Sequence, residues 1–163
     1  MIAALLTFAA ISSGPSSQET AHNPINAPPV RADHLSVHVA DPATSIAFYR
    51  DLIGLREVPS PVSSVRWLEA GNGFQVHLVP RRRAPVADTR PTHLAFSVAG
   101  FDDLLATLRA HGSSWWNFAG AEGEISRRPD GVRQIYVKDP DGYWVELNDG
   151  QAPCTEAEAC RRQ

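Results

Sequence analysis

Between residues 34 and 40 the chain alternates, with Leu35, Val37 and Val39 apolar and His34, Ser36 and His38 polar. A period of two predicts a half-buried strand. Asp41-Pro42 then supplies an N-cap and a first helical residue. Ile46, Tyr49 and Ile53 form the apolar stripe of a helix that Gly54 stops. Residues 55–58 predict a short strand ended by Pro59 and Pro61. Residues 65–70 and 74–79 predict a hairpin across Gly71-Asn72-Gly73. The order is β-α-β-β-β. It recurs after Arg90-Pro91: a strand over 93–99, a helix marked by Phe101, Leu104, Leu105 and Leu108 with Gly112 as its stop, a strand over 115–118, a loop over 119–131, and a closing hairpin. That hairpin turns on Asp139-Pro140-Asp141-Gly142, which is turn chemistry.

The recurrence extends to the residues themselves. Trp67 to Leu78 aligns without gaps on Tyr136 to Leu147, so that Gly73 falls on Gly142, Val76 on Val145 and His77 on Glu146. His34 to Ala40 aligns in the same way on His93 to Ala99. The chain is a tandem repeat of one supersecondary unit. Each helix is expected on the strand face that carries Leu35, Val37, Val76 and Leu78, or Leu94, Phe96, Val98, Val145 and Leu147. The other face then carries His34, Ser36, His38, Gln75, His77, His93, Ser97, Trp144, Glu146 and Asn148. The fold expected is α+β: two tandem βαβββ modules, 33–80 and 92–149, in a curved eight-stranded mixed sheet. The polar faces would form a cup and the helices would lie outside.

Composition leaves this picture unchanged. At 163 residues, 43% hydrophobic and 20% charged with net charge −3, the chain has the make-up of a globular domain and offers nothing to a polyanion. No nucleic-acid partner and no membrane span are expected. Arg81-Arg82-Arg83 is the one dense basic cluster, readable as a solvated turn or as an anchor for an anionic substrate group. Residues 1–12 form an apolar run followed by small residues. The run resembles a signal peptide without the usual preceding positive charge, and implies a periplasmic or secreted protein. Without cleavage the protein would be cytoplasmic. Residues 13–30, rich in Ser, Pro, Asn and Ala, read as a disordered linker. The main domain spans 31–150, and 151–163 form a tail. Its Cys154 and Cys160 are open to two readings, a disulfide or two free thiols.

The chemistry lies on the polar face. His34, His77, His93 and Glu146 occupy repeat-equivalent positions. Two or three His with a carboxylate make a first shell for one divalent ion, Zn, Ni, Mn or Fe. An inward carboxylate also demands a cation or a full hydrogen-bond network.

Residues 33–149 resemble the vicinal oxygen chelate superfamily, which includes glyoxalase I, fosfomycin-resistance thiol transferases, extradiol dioxygenases and bleomycin-binding proteins. The resemblance rests on His34-Leu35-Ser36-Val37-His38-Val39-Ala40-Asp41, His93-Leu94-Ala95-Phe96-Ser97-Val98 and Asp139-Pro140-Asp141-Gly142-Tyr143-Trp144-Val145-Glu146-Leu147. It implies metal ligands at His34, His77, His93 and Glu146, and a metal that chelates two adjacent oxygens of a small-molecule substrate. As a Lewis acid the metal would stabilise an enediolate-type anion, and Glu146 would be the catalytic base. Monomers and homodimers both occur among such proteins, so both remain open here.

Two departures narrow the resemblance. Bacterial glyoxalases have Glu where this chain has His77. Glyoxalase I also has Arg where this chain has His38, at the position that holds a glutathione carboxylate. The leading expectation is a metal-dependent lyase or isomerase of the glyoxalase type, acting on an unassigned oxygenated substrate. One alternative is a non-haem Fe(II) dioxygenase using His34, His93 and Glu146, against which a fourth ligand at His77 would count. Another is a non-catalytic binding protein like the bleomycin-resistance proteins. The substrate-contact residues expected are His38, Trp115, Trp116, Arg133 and Trp144, with Arg133 holding an anion or pairing with Asp139.

Overall fold

The structure is a computed structural model and describes residues 30–150. The apolar N-terminal run, nearly all of the linker, and the tail with Cys154 and Cys160 lie outside the described residues. No helix among the described residues is long and apolar enough to cross a membrane.

Both modules form as expected. In the first, β1 (His34–Val39) leads into α1 (Pro42–Ile46), which widens into a π-helical segment (Ala47–Leu52). The strands β2 (Arg56–Val58), β3 (Arg66–Glu69) and β4 (Gln75–Pro80) follow. In the second, β5 (Leu94–Ser97) precedes α2 (Phe101–Ala110), β6 (Ser126–Arg127), β7 (Arg133–Lys138) and β8 (Trp144–Asn148). The eight strands are divided into two four-stranded mixed sheets with the same order, β1-β4-β3-β2 and β5-β8-β7-β6. The first strand of each module runs parallel to its last, and all other pairs are antiparallel. The second strand of the second module, at the far edge of its sheet, is Ser126–Arg127, inside the segment expected to be loop. The residues 115–118 expected as a strand contribute only bridges from Trp116 to Glu122 and Tyr136.

Local chemistry accounts for the elements. Asp41 caps α1, its Oδ1 accepting from the Ala43 backbone N–H at 3.0 Å and its Oδ2 from the Thr44 hydroxyl at 2.6 Å. These bonds hold the Asp41 carboxyl below its usual range, the Thr44 hydroxyl being the main cause. The helix ends at Gly54, whose φ of +93° is open to glycine and costly for other residues. The core lies between the sheets and the helices. Val37, Val39, Leu68, Val76 and Leu78 are buried in the first module, and Phe96, Leu104, Leu105, Leu108, Ile135, Val145 and Leu147 in the second. Leu35, expected on the helix-packed face, is exposed.

The modules are clamped together by the Asp139-Pro140-Asp141-Gly142 turn. Asp141 accepts from the Ala40 backbone N–H at 2.8 Å, the Ser45 hydroxyl at 3.2 Å and Arg82 Nε at 2.8 Å. Asp139 Oδ2 accepts from the Tyr49 hydroxyl at 2.9 Å, and its Oδ1 from the backbone N–H groups of Asp141 and Tyr143. All four side chains from Ser45, Tyr49, Asp139 and Asp141 are buried. Burial pushes the Asp139 carboxyl above its usual range against the pull of these bonds, and raises the Tyr49 phenol, a shift its Asp139 neighbour reinforces.

Candidate functional site

The four ionisable residues of the polar faces fall into two pairs, one on each sheet. On the second sheet, His93 stands just before β5 and Glu146 lies in β8. Parallel pairing puts Leu94 opposite Val145 and Ala95 opposite Glu146, which brings His93 Nε2 to 3.1 Å from Glu146 Oε2. His93 Nδ1 lies 2.8 Å from the Arg90 carbonyl oxygen. A carbonyl only accepts, so Nδ1 carries the hydrogen and the lone pair of a neutral ring sits on Nε2. That lone pair then faces an oxygen of the Glu146 carboxylate. Such an arrangement calls for a positive charge between the two atoms, either a proton or a metal ion.

Glu146 is buried and fully engaged. Tyr136, its cross-strand partner, donates its hydroxyl to Oε2 at 2.7 Å, and Asn148 Nδ2 donates to Oε1 at 2.8 Å. Arg128 Nη1 stands 4.0 Å from Oε1. Burial, and after it the bond to Glu146, raises the Tyr136 phenol well above its usual range, so it remains a donor at neutral pH. The His93 ring meets the Tyr136 ring edge-on at 5.2 Å.

On the first sheet, three rings are stacked. His77 lies between Trp67, its cross-strand partner, at 4.2 Å and 3° and His34 at 4.2 Å and 13°. A metal lies close to the plane of any imidazole that binds it. Two nearly parallel planes this far apart share no such point, so His34 and His77 as arranged do not ligate one ion together. Nitrogen usage separates them further. His34 Nδ1 lies 2.6 Å from Asp33 Oδ2, which leaves Nε2 as its lone-pair nitrogen. His77 Nε2 is occupied by Gln75 Oε1 at 2.9 Å. Burial pulls the His77 ring below its usual pKa, and the neighbouring His34 adds to the effect.

The donor chemistry suits a divalent metal at each half. Two ligands about 2.1 Å from one ion and at right angles to each other lie about 3 Å apart, close to the His93–Glu146 separation. In both His93 and His34, Nδ1 is tied to an oxygen, the usual outer support of a metal-bound histidine. The halves are not joined within one chain, because no group of three or more His, Cys, Asp or Glu among the described residues is placed to hold a metal. As arranged, the described residues of one copy present the shell as two separate halves.

The residues expected to touch substrate lie in varied surroundings. Trp115 is buried in the core, with the Arg109 guanidinium 5.3 Å from its ring. Trp144 is also buried. Its Nε1 donates to Asp88 at 2.8 Å, Arg90 covers its ring at 4.4 Å, Lys138 stands at 4.7 Å, and Trp116 meets it edge-on at 5.5 Å. Trp115 supports the fold, Trp144 is held by the linker and also borders a cleft together with His38, and the half-buried Trp116 packs on Trp144. Arg133 pairs with Asp102 and Asp149, each at closest 2.8 and 2.6 Å, and not with Asp139. His38 is exposed, and its carbonyl accepts from the Tyr143 hydroxyl at 3.3 Å. The partners that sequence reasoning missed are Tyr136, Asn148 and Arg90. A signal existed for Tyr136: the repeat places it on Trp67, and each of the two aromatics lies directly across from a residue of the ionisable set.

A sequence model of the Glyoxalase/Bleomycin resistance protein/Dioxygenase superfamily matches residues 31–147. The chain belongs to this superfamily. Members of the glyoxalase/dioxygenase superfamily are commonly enzymes and commonly use a divalent metal ion. Among relatives in this superfamily, the glutathione transferase FosA of Serratia marcescens is 28% identical over 135 residues, covering 80% of this chain and 88% of FosA. Oxidase ChaP-H1 superposes with a TM-score of 0.61 at 28% identity, covering 76% of this chain and 98% of the oxidase. A lactoylglutathione lyase from Agrobacterium tumefaciens shares the fold, with a TM-score of 0.55 at 20% identity over 76% of this chain and 96% of the lyase.

Proposed function

We propose that this protein is a divalent-metal-dependent enzyme of the glyoxalase type, and that Glu146 moves a proton on a small oxygenated substrate. The observation that carries the reading is the His93 Nε2–Glu146 Oε2 pair at 3.1 Å, with the other nitrogen of His93 tied to a carbonyl. The shell is completed between two copies of the chain, His93 and Glu146 coming from one and His34 from the other. The bound ion would act as a Lewis acid toward adjacent substrate oxygens. Glu146 takes the proton next to the polarised carbonyl and returns it to the neighbouring carbon. Tyr136 and Asn148 keep its two oxygens aimed as the charge on them changes.

A second reading draws on the ring stack. With His77 outside the shell, the ligands reduce to two histidines and one carboxylate, the triad of non-haem Fe(II) oxygenases. The similarity to oxidase ChaP-H1 favours the same reading. Metal identity separates the two: Ni or Zn supports isomerisation, Fe supports oxygen chemistry.

The test is metal content of the wild type, of His34→Ala and of Glu146→Ala, alone and after the two variants are mixed and allowed to exchange subunits. Each variant alone is expected to lose the metal. A random mixture restores one intact shell in each mixed pair, about a quarter of the wild-type content. No recovery on mixing would refute the shared shell, and no metal in reconstituted wild type would refute the enzyme reading.

A further inference from the structure

Arg81-Arg82-Arg83 opens the linker between the modules. The middle residue is used by the fold. Arg82 Nε donates to Asp141 at 2.8 Å, its Nη1 to the Ala84 carbonyl at 2.8 Å, and its backbone N–H to Val39 at 3.1 Å. The flanking pair is different. Neither the Arg81 nor the Arg83 side chain has a hydrogen-bond or ion-pair partner among the described residues. Arg81 also holds a left-handed backbone, with φ of +70°, the one non-glycine residue among those described to do so. An L-residue adopts that conformation at a cost, and such strain gathers at functional positions.

These arginines border a cleft of about 750 Å³ between β1 and β5. Each of these strands is paired on one side only, since each ends its sheet. The volume suits a small organic ligand. Leu35, Val37, Leu94 and Trp144 supply apolar wall, His38 and His93 also line the space, and no Asp or Glu among the described residues does. Apolar walls, two unpaired guanidinium groups and no competing carboxylate are complementary to one chemical class.

We propose that this cleft binds a small organic anion with an aromatic or aliphatic body, its carboxylate or phosphonate held by Arg81 and Arg83. Guanidinium forks match such groups in shape and charge. His93 borders both the cleft and the Glu146 carboxylate, so a ligand seated there lies beside the proposed reacting groups. Its assignment as the substrate class rests on the proposed function. Its binding does not.

The experiment is calorimetric titration of the full chain, in the presence of a chelator, with 2-naphthoate, uncharged 2-naphthamide and inorganic phosphate. Naphthoate is expected to bind one equivalent and to weaken as salt is raised. The naphthamide, and naphthoate with Arg81→Gln or Arg83→Gln, should each bind about ten-fold or more weakly. Both arginines are exposed, so the variants should fold, which their circular dichroism would verify. Absence of saturable binding, equal binding of the amide, or indifference to both substitutions would overturn the proposal. So would phosphate binding as tightly as naphthoate, which would leave an anion site with no use for its walls. Exclusion of naphthoate as the chain self-associates would give the cleft to a second copy and also overturn it. Because the titration reads binding without metal, it succeeds or fails independently of the metal-content test.

Discussion

Tyr49→Phe removes one oxygen from the interior and tests the clamp between the modules. The Tyr49 hydroxyl, on a fully buried side chain, donates to Asp139 Oδ2 at 2.9 Å, whereas the other partners of Asp139 both bond to Oδ1. Phenylalanine fills the same space and leaves Oδ2 without its donor. A hydrogen bond to a charged group contributes about 1.5–3 kcal/mol, and a buried acceptor left unpaired carries its desolvation penalty. The expected loss at pH 7 is about 2 kcal/mol, read as a lower urea midpoint at unchanged slope. The pH dependence supplies a second check. Burial already places the Asp139 carboxyl above its ordinary value. A group raised in the folded state has its full stabilising effect below the unfolded pKa and loses it as pH climbs through the folded one. Removing a donor to the charged form raises the folded value further. The penalty of Tyr49→Phe should therefore be largest at neutral pH and shrink as pH falls through the raised folded value, where Asp139 takes up its proton. A loss below about 0.5 kcal/mol at pH 7, or a penalty that grows on acidification, would refute the reasoning.

Two further substitutions probe the faces of the sheets. His77→Phe keeps a flat ring between Trp67 and His34 and removes both nitrogens, so metal content should stay near the wild-type level, whereas loss equal to that of His34→Ala would return His77 to the shell. Arg133→Met breaks the pairs with Asp102 and Asp149 at a partly exposed site. Thermal unfolding should show a small loss of stability, with naphthoate affinity unchanged; a drop in affinity would make Arg133 an anion holder after all.

The modules, their order and their polar faces were legible from alternation and self-similarity, because strand geometry sends every second side chain to the same face. That rule names the face and is silent on where a ring turns upon it. His34, His77, His93 and Glu146 could be placed on polar faces from their spacing, but the stacking of His77 between Trp67 and His34 depends on side-chain torsions that no spacing encodes. The burial of Trp115 and Trp144 was not legible for a related reason. Trp115 follows the second helix, where no period applies, and Trp144 was claimed by Asp88, Arg90 and Lys138, two of them in a linker without regular pattern. Arg133 chose Asp149 on the neighbouring strand end and Asp102 on the helix over an acid on its own hairpin, a choice set by tertiary distance.

The clamp also bears on how the chain is made. Ala40 and Asp141, which it joins, are 101 residues apart in sequence, and Tyr49 and Asp139 are 90 apart. Contacts of such separation slow folding, since most of a loop must be closed before they form. During synthesis the first module emerges with the Ser45 and Tyr49 hydroxyls lacking their acceptors across the interface, and nearly all of the second must follow before those acceptors exist. The helix of the first module is thus finished by the last hairpin to leave the ribosome, and a chain that stalls in between presents that unfinished surface to chaperones and proteases.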